Sequence, residues 1–467
     1  MDPGDEMTNP LFQYFCGFLT TLQSDLFMKK TSLLFIQTIA FLLAYSSIVF
    51  SQDFNPKNDT AEKMFDEYFI PKTLRIDFFL AGDSKEQTIY LDDMKQEPNW
   101  GGPRKNLVDP YNYGTYRYQA FDSLSGKLIF SKGFSTLFQE WKGTAEAKKV
   151  KKAFSQAAIL PFPKNTVRFV ISERDFNDGK YYSRFEIYID PQDYFIKREK
   201  PDPYPYIKFR NSGDPARSVD VAFIAEGYTQ AEMSEFLADA QRITDYFLST
   251  SPYSDFRNKF NFYAVLSSSN ESGVDVPGKN VYANTNMNSS FYTFDMDRYM
   301  TSSDTRSIYD IAANVPYDAI IILVNSKMYG GGGFFNHYAE VTSDNQWSKV
   351  VAVHEFGHSF AGLADEYVGN VSYSDSYNPG VEPWEPNITT NVNFESKWKK
   401  MISSGTPIPT PRTDEFKNDV GMFEGGGYME KGVYSPFQNC QMRALDAPSY
   451  CPVCQNAIRR MILFYCD

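Results

Sequence analysis

Histidine is scarce in this chain, with three copies in 467 residues, and positive charge is in deficit. The 46 Lys and Arg oppose 58 Asp and Glu, which gives a net charge of −12. An acidic surface argues against nucleic acid and anionic membrane surfaces as partners. Proline and glycine are not in excess, at 26 and 28 residues, and 42% of the residues are hydrophobic. The composition therefore allows packed cores, and the length predicts about two or three domains.

The N-terminal residues have the pattern of an export signal. Residues 28–30 include two lysines, residues 33–50 are mainly apolar, and small residues precede a cleavage point at Gln52. No cysteine directly follows the apolar stretch, which excludes a lipid anchor of the lipobox type. An uncleaved membrane anchor is the alternative, because the stretch is near the minimum span. We predict that residues 1–51 are an extension and signal peptide, and that the mature protein is secreted, periplasmic or at a bacterial cell surface without membrane insertion.

Four of the five cysteines lie near the C-terminal end, at Cys440, Cys451, Cys454 and Cys466. Export favours disulfides among them, and four cysteines allow three pairings. A structural zinc site that includes Cys451 and Cys454 is the alternative, since a CxxC pair is a modest zinc signal. Either arrangement would fix the C-terminal tail.

The chain divides into two regions by pattern. After a polar linker over residues 52–67, residues 68–195 contain short alternating runs in a chain with 40 Phe and 32 Tyr. These runs predict an antiparallel β-sandwich as an accessory domain. A proline-rich segment near residues 200–205 predicts a boundary, and residues 205–467 form the second domain. There, buried strands alternate with helices, which predicts helices packed on a sheet: 219–224, 233–248, 260–266, 319–324 and 350–363.

Two of the three histidines lie in the sequence HEFGH, residues 354–358. Positions four apart share one helical face, so His354 and His358 can reach one zinc ion. Glu355 can hold the attacking water. Such a motif arises by chance on the order of once in a thousand at this histidine content. The alternative is a buried helix with two hydrogen-bonded histidines.

A catalytic zinc normally takes a third protein ligand, and Asp365 and Glu366 are the nearest acids. In an unbroken helix Asp365 would lie about 10.5 Å along the axis from His358. The chain must therefore turn back, and Gly362 can permit the turn. We favour Asp365 as the ligand and Glu366 as an orienter of an imidazole, and we leave the choice between them open.

The motif, together with GLADEY at residues 362–367, resembles the IgA-peptidase family of bacterial zinc metallopeptidases, which are metzincin-like HExxH zincins. Residues 221–229, 330–333 and 427–443 resemble the same family. The resemblance implies an α+β multidomain protein, with an accessory β-sandwich before a zincin-type domain, and a secreted endopeptidase that cleaves proteins or peptides. It does not imply immunoglobulin A as the substrate.

The chemistry predicts further roles. Glu355 acts as general base on a metal-activated water. Tyr428, ahead of Tyr434, can donate to the tetrahedral oxyanion. The glycines at 330–333 predict an edge strand that an extended peptide can approach closely. Met442 can form a turn beneath the metal.

Two points stay open from the sequence. His337 is either a substrate contact or, as is commoner for a lone histidine, a surface residue. The alternative function is a non-catalytic binding or adhesion protein that retains a peptidase fold. The intact Glu355 argues against that alternative, because a structural metal needs no base.

Overall fold

The computed structural model describes residues 60–199, 202–369 and 377–466, all within one compact unit. The predicted signal peptide lies outside the described residues. Within the described ranges, no helix combines the length and apolar character needed to cross a membrane. Residues predicted as the end of a linker instead form helix α1, Thr60–Tyr68.

Two antiparallel sheets make up the region that follows α1. The first has the order β2-β1-β5, formed by Phe69–Gly82 (β1), Gln87–Glu97 (β2) and Lys152–Pro163 (β5). The second has the order β4-β3-β6-β7, formed by Tyr116–Asp122 (β3), Leu128–Phe134 (β4), Val167–Arg174 (β6) and Tyr181–Ile189 (β7). Inward side chains of both sheets, such as Ile76 and Phe169, share one buried cluster. The short helix Leu137–Lys142 (α2) lies between β4 and β5.

The second region is built on a six-stranded sheet of order β12-β13-β11-β9-β10-β8. Its strands are Tyr206–Arg210 (β8), Val219–Glu226 (β9), Phe260–Val265 (β10), Ala319–Val324 (β11), Gly331–Gly333 (β12) and Ala339–Thr342 (β13). β9 pairs in parallel with β10 and β11, whereas the edge strands β8 and β12 are antiparallel to their neighbours. The predicted mixed α+β class with antiparallel sheets is confirmed.

Both faces of this sheet are covered, which explains why every residue of the central strands is buried. Helices Met233–Phe247 (α3), Ser348–Ala361 (α5) and Pro452–Cys466 (α6) share a core with one face. Helix Thr305–Ala312 (α4) packs on the other face, together with Ala157 and Ile159 of β5. The first region therefore contributes directly to the core of the second.

An ion pair made by a buried arginine also joins the two regions. The Arg75 side chain on β1 is fully buried and lies 3.1 Å from Glu97 Oε1 and 2.7 Å from Asp310 Oδ1, measured from its two Nη atoms. Asp310 belongs to α4. Burial lowers the pKa of Arg75, but the surrounding carboxylates outweigh that effect and raise it, so the guanidinium stays charged.

The predicted break after the motif helix is confirmed. Gly362 ends α5 in the left-handed region with φ 63°, and its N–H donates to His358 O at 3.0 Å. The chain then reverses along the helix, past a hairpin made of Phe423–Gly426 (β14) and Met429–Ser435 (β15). This reversal brings Asp365 back towards the two motif histidines.

Replacement of Gly362 should destabilise the protein by more than the cost of placing an L residue at its left-handed backbone angle. A Cβ at Gly362 would lie 2.9 Å from Trp384 Cζ3 and 3.2 Å from Phe335 Cδ2. Gly126 is a matched control, because it has φ 70° but nothing within 4 Å of its Cβ position. The left-handed angle costs an L residue about 1–2 kcal/mol. We expect Gly126→Ala to lose about that much unfolding free energy and Gly362→Ala to lose clearly more, by chemical denaturation. Equal losses would contradict the steric account.

Candidate active site

A cleft of about 1150 Å³ runs past the exposed side of α5. His354, Glu355 and His358 line its floor, and Gly331–Gly333 of the edge strand β12 line one side. Residues of the first region, among them Glu140, line it as well. The cleft is thus assembled from both regions of the chain.

The two motif histidines are oriented through their Nδ1 atoms. His354 Nδ1 lies 2.8 Å from Gln441 O, and His358 Nδ1 lies 2.6 Å from Leu363 O. A carbonyl can only accept, so each Nδ1 carries a proton, and each Nε2 is the ring atom left to face a metal ion. The two Nε2 atoms are 3.1 Å apart. This tautomer is the one required for two imidazoles to bind one metal ion.

Asp365 completes the group. Its Oδ1 lies 3.1 Å from His354 Nε2 and 3.5 Å from His358 Nε2. The atom is buried and has no hydrogen-bond partner, which is costly for a carboxylate unless a cation compensates it. One ligand atom from each of the three residues lies within 4.8 Å of the others. Two imidazole nitrogens and a carboxylate oxygen without a hydrogen-bond partner lie close enough together to bind one metal ion.

The electrostatics of the group agree with its geometry. Burial lowers the pKa of His358, but the Asp365 carboxylate outweighs burial and raises it to about 9. Burial raises the pKa of Asp365, yet the two imidazoles hold it well below its usual range. Positive charge is therefore favoured between these side chains, at the place that a metal ion would take.

Tyr428 and the loop before β15 hold Asp365 in place. The Tyr428 hydroxyl donates to Asp365 Oδ2, and the Gly427 N–H donates to the Asp365 carbonyl at 2.8 Å. Tyr428 therefore lies in the site, as the sequence predicted. Its hydroxyl is engaged by the Asp365 carboxylate, and donation to a substrate oxygen stays a prediction.

Glu366 lies apart from the histidines, in agreement with the preference for Asp365 as the ligand but not with the predicted contact to an imidazole. Its Oε1 accepts from Asn387 Nδ2 at 2.9 Å and from Cys454 Sγ at 3.0 Å. It is neither a ligand of this group nor an orienter of an imidazole. The orienters are the carbonyls of Gln441 and Leu363, which sequence reasoning missed because backbone oxygens carry no residue-specific signal.

The glycine strand allows α5 to approach the edge of the sheet. A Cβ on Gly333 would lie 2.5 Å from Glu355 O, and one on Gly331 would lie 3.1 Å from Glu355 Cγ. β12 is an edge strand as predicted, but Tyr299 already makes a single parallel bridge with Gly331. Pairing of a substrate along this strand stays a prediction.

Three cleft residues carry chemistry that the sequence did not reveal. Tyr299 donates its hydroxyl to Glu140 Oε2 at 2.5 Å, and burial raises the pKa of Glu140 to about 7. Burial lowers the pKa of Arg298, but electrostatic interactions with Tyr367, Tyr329 and Asp365 outweigh burial and raise this pKa above its usual value. Glu140 and Arg298 lie in segments without a motif, so only the fold brings them to the histidines.

The other predicted residues lie apart from the cleft wall. Met442 is fully buried, and its Sδ would be 3.1 Å from a Cβ on Gly357, so it packs against the middle of α5. His337 is buried rather than on the surface, with Nδ1 3.0 Å from the Tyr309 hydroxyl. Burial lowers the pKa of His337 to about 3, and it is not among the residues lining the cleft.

Comparisons with known proteins agree with the sequence resemblance. A family model described as IgA Peptidase M64 matches residues 207–419 and 412–462, and one described as Peptidase M64 N-terminus matches residues 64–185. No curated protein matches the chain. The first family model spans more than half of the sequence, so the chain belongs to the IgA peptidase M64 family and is a peptidase. Peptidases of this family are metallopeptidases, and this chain has residue groups that could hold a metal ion.

Removal of the Tyr428 hydroxyl should weaken metal binding without removing a proposed metal ligand. We expect Tyr428→Phe to weaken metal binding about 10- to 100-fold, because a ligating carboxylate loses its hydrogen-bond donor. Tyr434→Phe is the control, since Tyr434 on β15 does not line the cleft. Metal retained during dialysis against increasing chelator concentrations measures the effect. Equal retention in both variants would remove Tyr428 from the site.

Proposed function

We propose that this member of the M64 family is a zinc-dependent endopeptidase that acts on extracellular or host proteins after export from a bacterial cell. The observation that carries the proposal is the convergence of His354, His358 and the orphaned Asp365 Oδ1 on one point beside Glu355. Two imidazoles and a carboxylate leave a fourth position open, which is the ligand number of catalytic rather than structural zinc sites.

A zinc ion held by His354, His358 and Asp365 would supply a Lewis acid for the scissile carbonyl and make water acidic near neutral pH. Glu355 is positioned to act as the base. It lines the cleft next to His354 but is not part of the group that shares the metal position. It takes the proton of the attacking water and delivers it to the leaving amine.

The environment of Glu355 suits proton transfer. Burial raises the pKa of Glu355, and the two neighbouring imidazoles oppose that rise without cancelling it. A carboxylate with a raised pKa is a stronger base and, once protonated, is still acidic enough to return the proton. The Tyr428 hydroxyl is bound to Asp365, so Arg298 and Tyr367, which also line the cleft, are two further candidates to donate to the tetrahedral oxygen.

The cleft favours a protein or peptide substrate over a small amide. Its volume of about 1150 Å³ exceeds what a single amide would fill, and it extends from α5 to Glu173 and Arg174 of β6. We therefore interpret residues 68–195 as an accessory β-sandwich that forms one wall, and residues 205–467 as the zincin-type catalytic domain. A non-catalytic binding protein is the alternative, but it would have no use for a base at position 355.

Glu355→Gln should separate metal binding from catalysis. The amide keeps the shape of the side chain but cannot accept the proton, so we expect kcat to fall about 100- to 10,000-fold. Metal content and thermal stability should stay at wild-type values, because Glu355 is not a ligand. Glu430→Gln is the charge-matched control, since Glu430 is exposed on β15. Peptide-library digestion with and without chelator provides the assay. Full turnover by metal-loaded Glu355→Gln would exclude the mechanism.

The junction between the proposed domains should be the first site of limited proteolysis. We expect initial cuts within residues 191–205, followed by fragments that remain associated on gel filtration. Separation would break the ion pair between Arg75 and Asp310 and would expose the core that Ala157 and Ile159 of β5 share with the six-stranded sheet. Mass spectrometry of the fragments identifies the cuts. First cuts inside residues 70–190 would place the boundary elsewhere.

A further inference from the structure

We propose that the chain binds a second, structural metal ion through Glu366, Cys440, Cys451 and Cys454. The donor set of three thiolates and one carboxylate suits zinc or a similar thiophilic divalent cation. This site is separate from the proposed catalytic group, although the two are linked through neighbouring residues. It does not depend on the proposed peptidase activity.

The four side chains converge in one buried position. Each is at most 2% exposed, and one ligand atom from each lies within 4.8 Å of the others. Cys440 Sγ is 3.8 Å from Cys454 Sγ, and Glu366 Oε1 is 3.0 Å from Cys454 Sγ and 3.9 Å from Cys451 Sγ. Tetrahedral zinc with ordinary bond lengths separates two sulfurs by about 3.8 Å and a sulfur from an oxygen by about 3.6 Å. The Cys440–Cys454 and Glu366–Cys451 separations are close to these edges, and the Glu366–Cys454 separation is shorter, so a small movement of the Glu366 carboxylate would complete the tetrahedron.

An independent observation points to a ligand at this position. Glu366 is fully buried, and its Oε2 has no hydrogen-bond partner. A buried carboxylate oxygen without a donor is costly, and a cation at the centre of the group would satisfy it. Four anionic donors with one divalent cation leave a net negative charge, which the neighbouring Arg443 partly offsets through its interaction with Glu366 and Cys440.

The arrangement differs from the disulfide cluster that the sequence favoured. Cys440, Cys451 and Cys454 are not in a disulfide, and Cys466 lies outside the group, at the far end of α6 with its Sγ 3.8 Å from Lys259 O. A single disulfide among the three grouped thiols would leave one thiol and the Glu366 carboxylate buried together. A metal ion would bind the three thiolates and the carboxylate together.

The proposed ion would also help to position the proposed catalytic ligands His354 and Asp365. Cys440 precedes Gln441, whose carbonyl orients His354, and the carbonyl of Met442 accepts from the Glu366 N–H at 2.7 Å. Glu366 in turn directly follows Asp365. One ion would therefore fix the backbone on both sides of the proposed catalytic ligands. The adjacent acids Asp365 and Glu366 then serve two different centres.

Metal counting with separate variants tests the site. We expect the purified full chain to hold two zinc ions by elemental mass spectrometry. The double variant His354→Ala/His358→Ala should hold one, and adding Cys454→Ser should remove it. Cys466→Ser is the matched control, because it removes a buried cysteine of the same helix outside the group, and it should keep both ions. Glu366→Gln preserves the size of the side chain and should release zinc to chelator more readily while still folding.

Cobalt substitution separates this proposal from the catalytic one. Only a thiolate site gives intense near-ultraviolet charge-transfer absorption, so the Co²⁺-loaded histidine double variant should show that band and the triple variant should lack it. Absence of the band and of zinc in the double variant would overturn the second site even if the enzyme is active. Peptide mapping without reductant that finds Cys440, Cys451 or Cys454 joined in a disulfide would overturn it as well. Failure of peptide cleavage alone would affect only the proposed function.

Discussion

Asp365 Oδ1 is a buried carboxylate oxygen that no hydrogen-bond donor satisfies, and the structure around it keeps it close to two imidazoles. Gly362 reverses the chain so that Asp365 can return to the helix that carries the histidines. The Tyr428 hydroxyl donates to the other carboxylate oxygen, Oδ2, and the Gly427 N–H donates to the Asp365 carbonyl. Such an oxygen is costly without a compensating cation, and this is why we propose a metal ion at this position.

The rigidity of this group comes from the core beneath it. The central strands are buried on both faces and share a close-packed core with α5, which limits movement of this helix. Glycine at 331 and 333 lets the backbone of the edge strand approach α5 more closely than a side chain would permit. Glu355 lies on the side of α5 that faces both this strand and the cleft.

The first region contributes to both the core and the cleft of the second region. Its β5 strand adds Ala157 and Ile159 to the core behind the six-stranded sheet, and its Glu140 reaches the cleft through Tyr299. The fully buried guanidinium of Arg75 pairs with Asp310 of α4, whose side chain is 37% exposed. A wall supplied in this way can shape which substrates enter, while every proposed metal ligand and the base come from the second region.

The local features could be predicted from the sequence: the two histidines on one helical face, the adjacent Glu355, the break at Gly362 and most strands. Each of these depends on a short stretch with its own periodicity or backbone requirement. The folded chain was needed to show which of two adjacent acids faces the histidines, that Tyr428 bonds to Asp365, and that Glu366 lies with three cysteines. It also decided that carbonyls of Gln441 and Leu363 orient the imidazoles. These contacts join residues distant in sequence or involve backbone atoms common to all residues, so only the path of the folded chain brings them together.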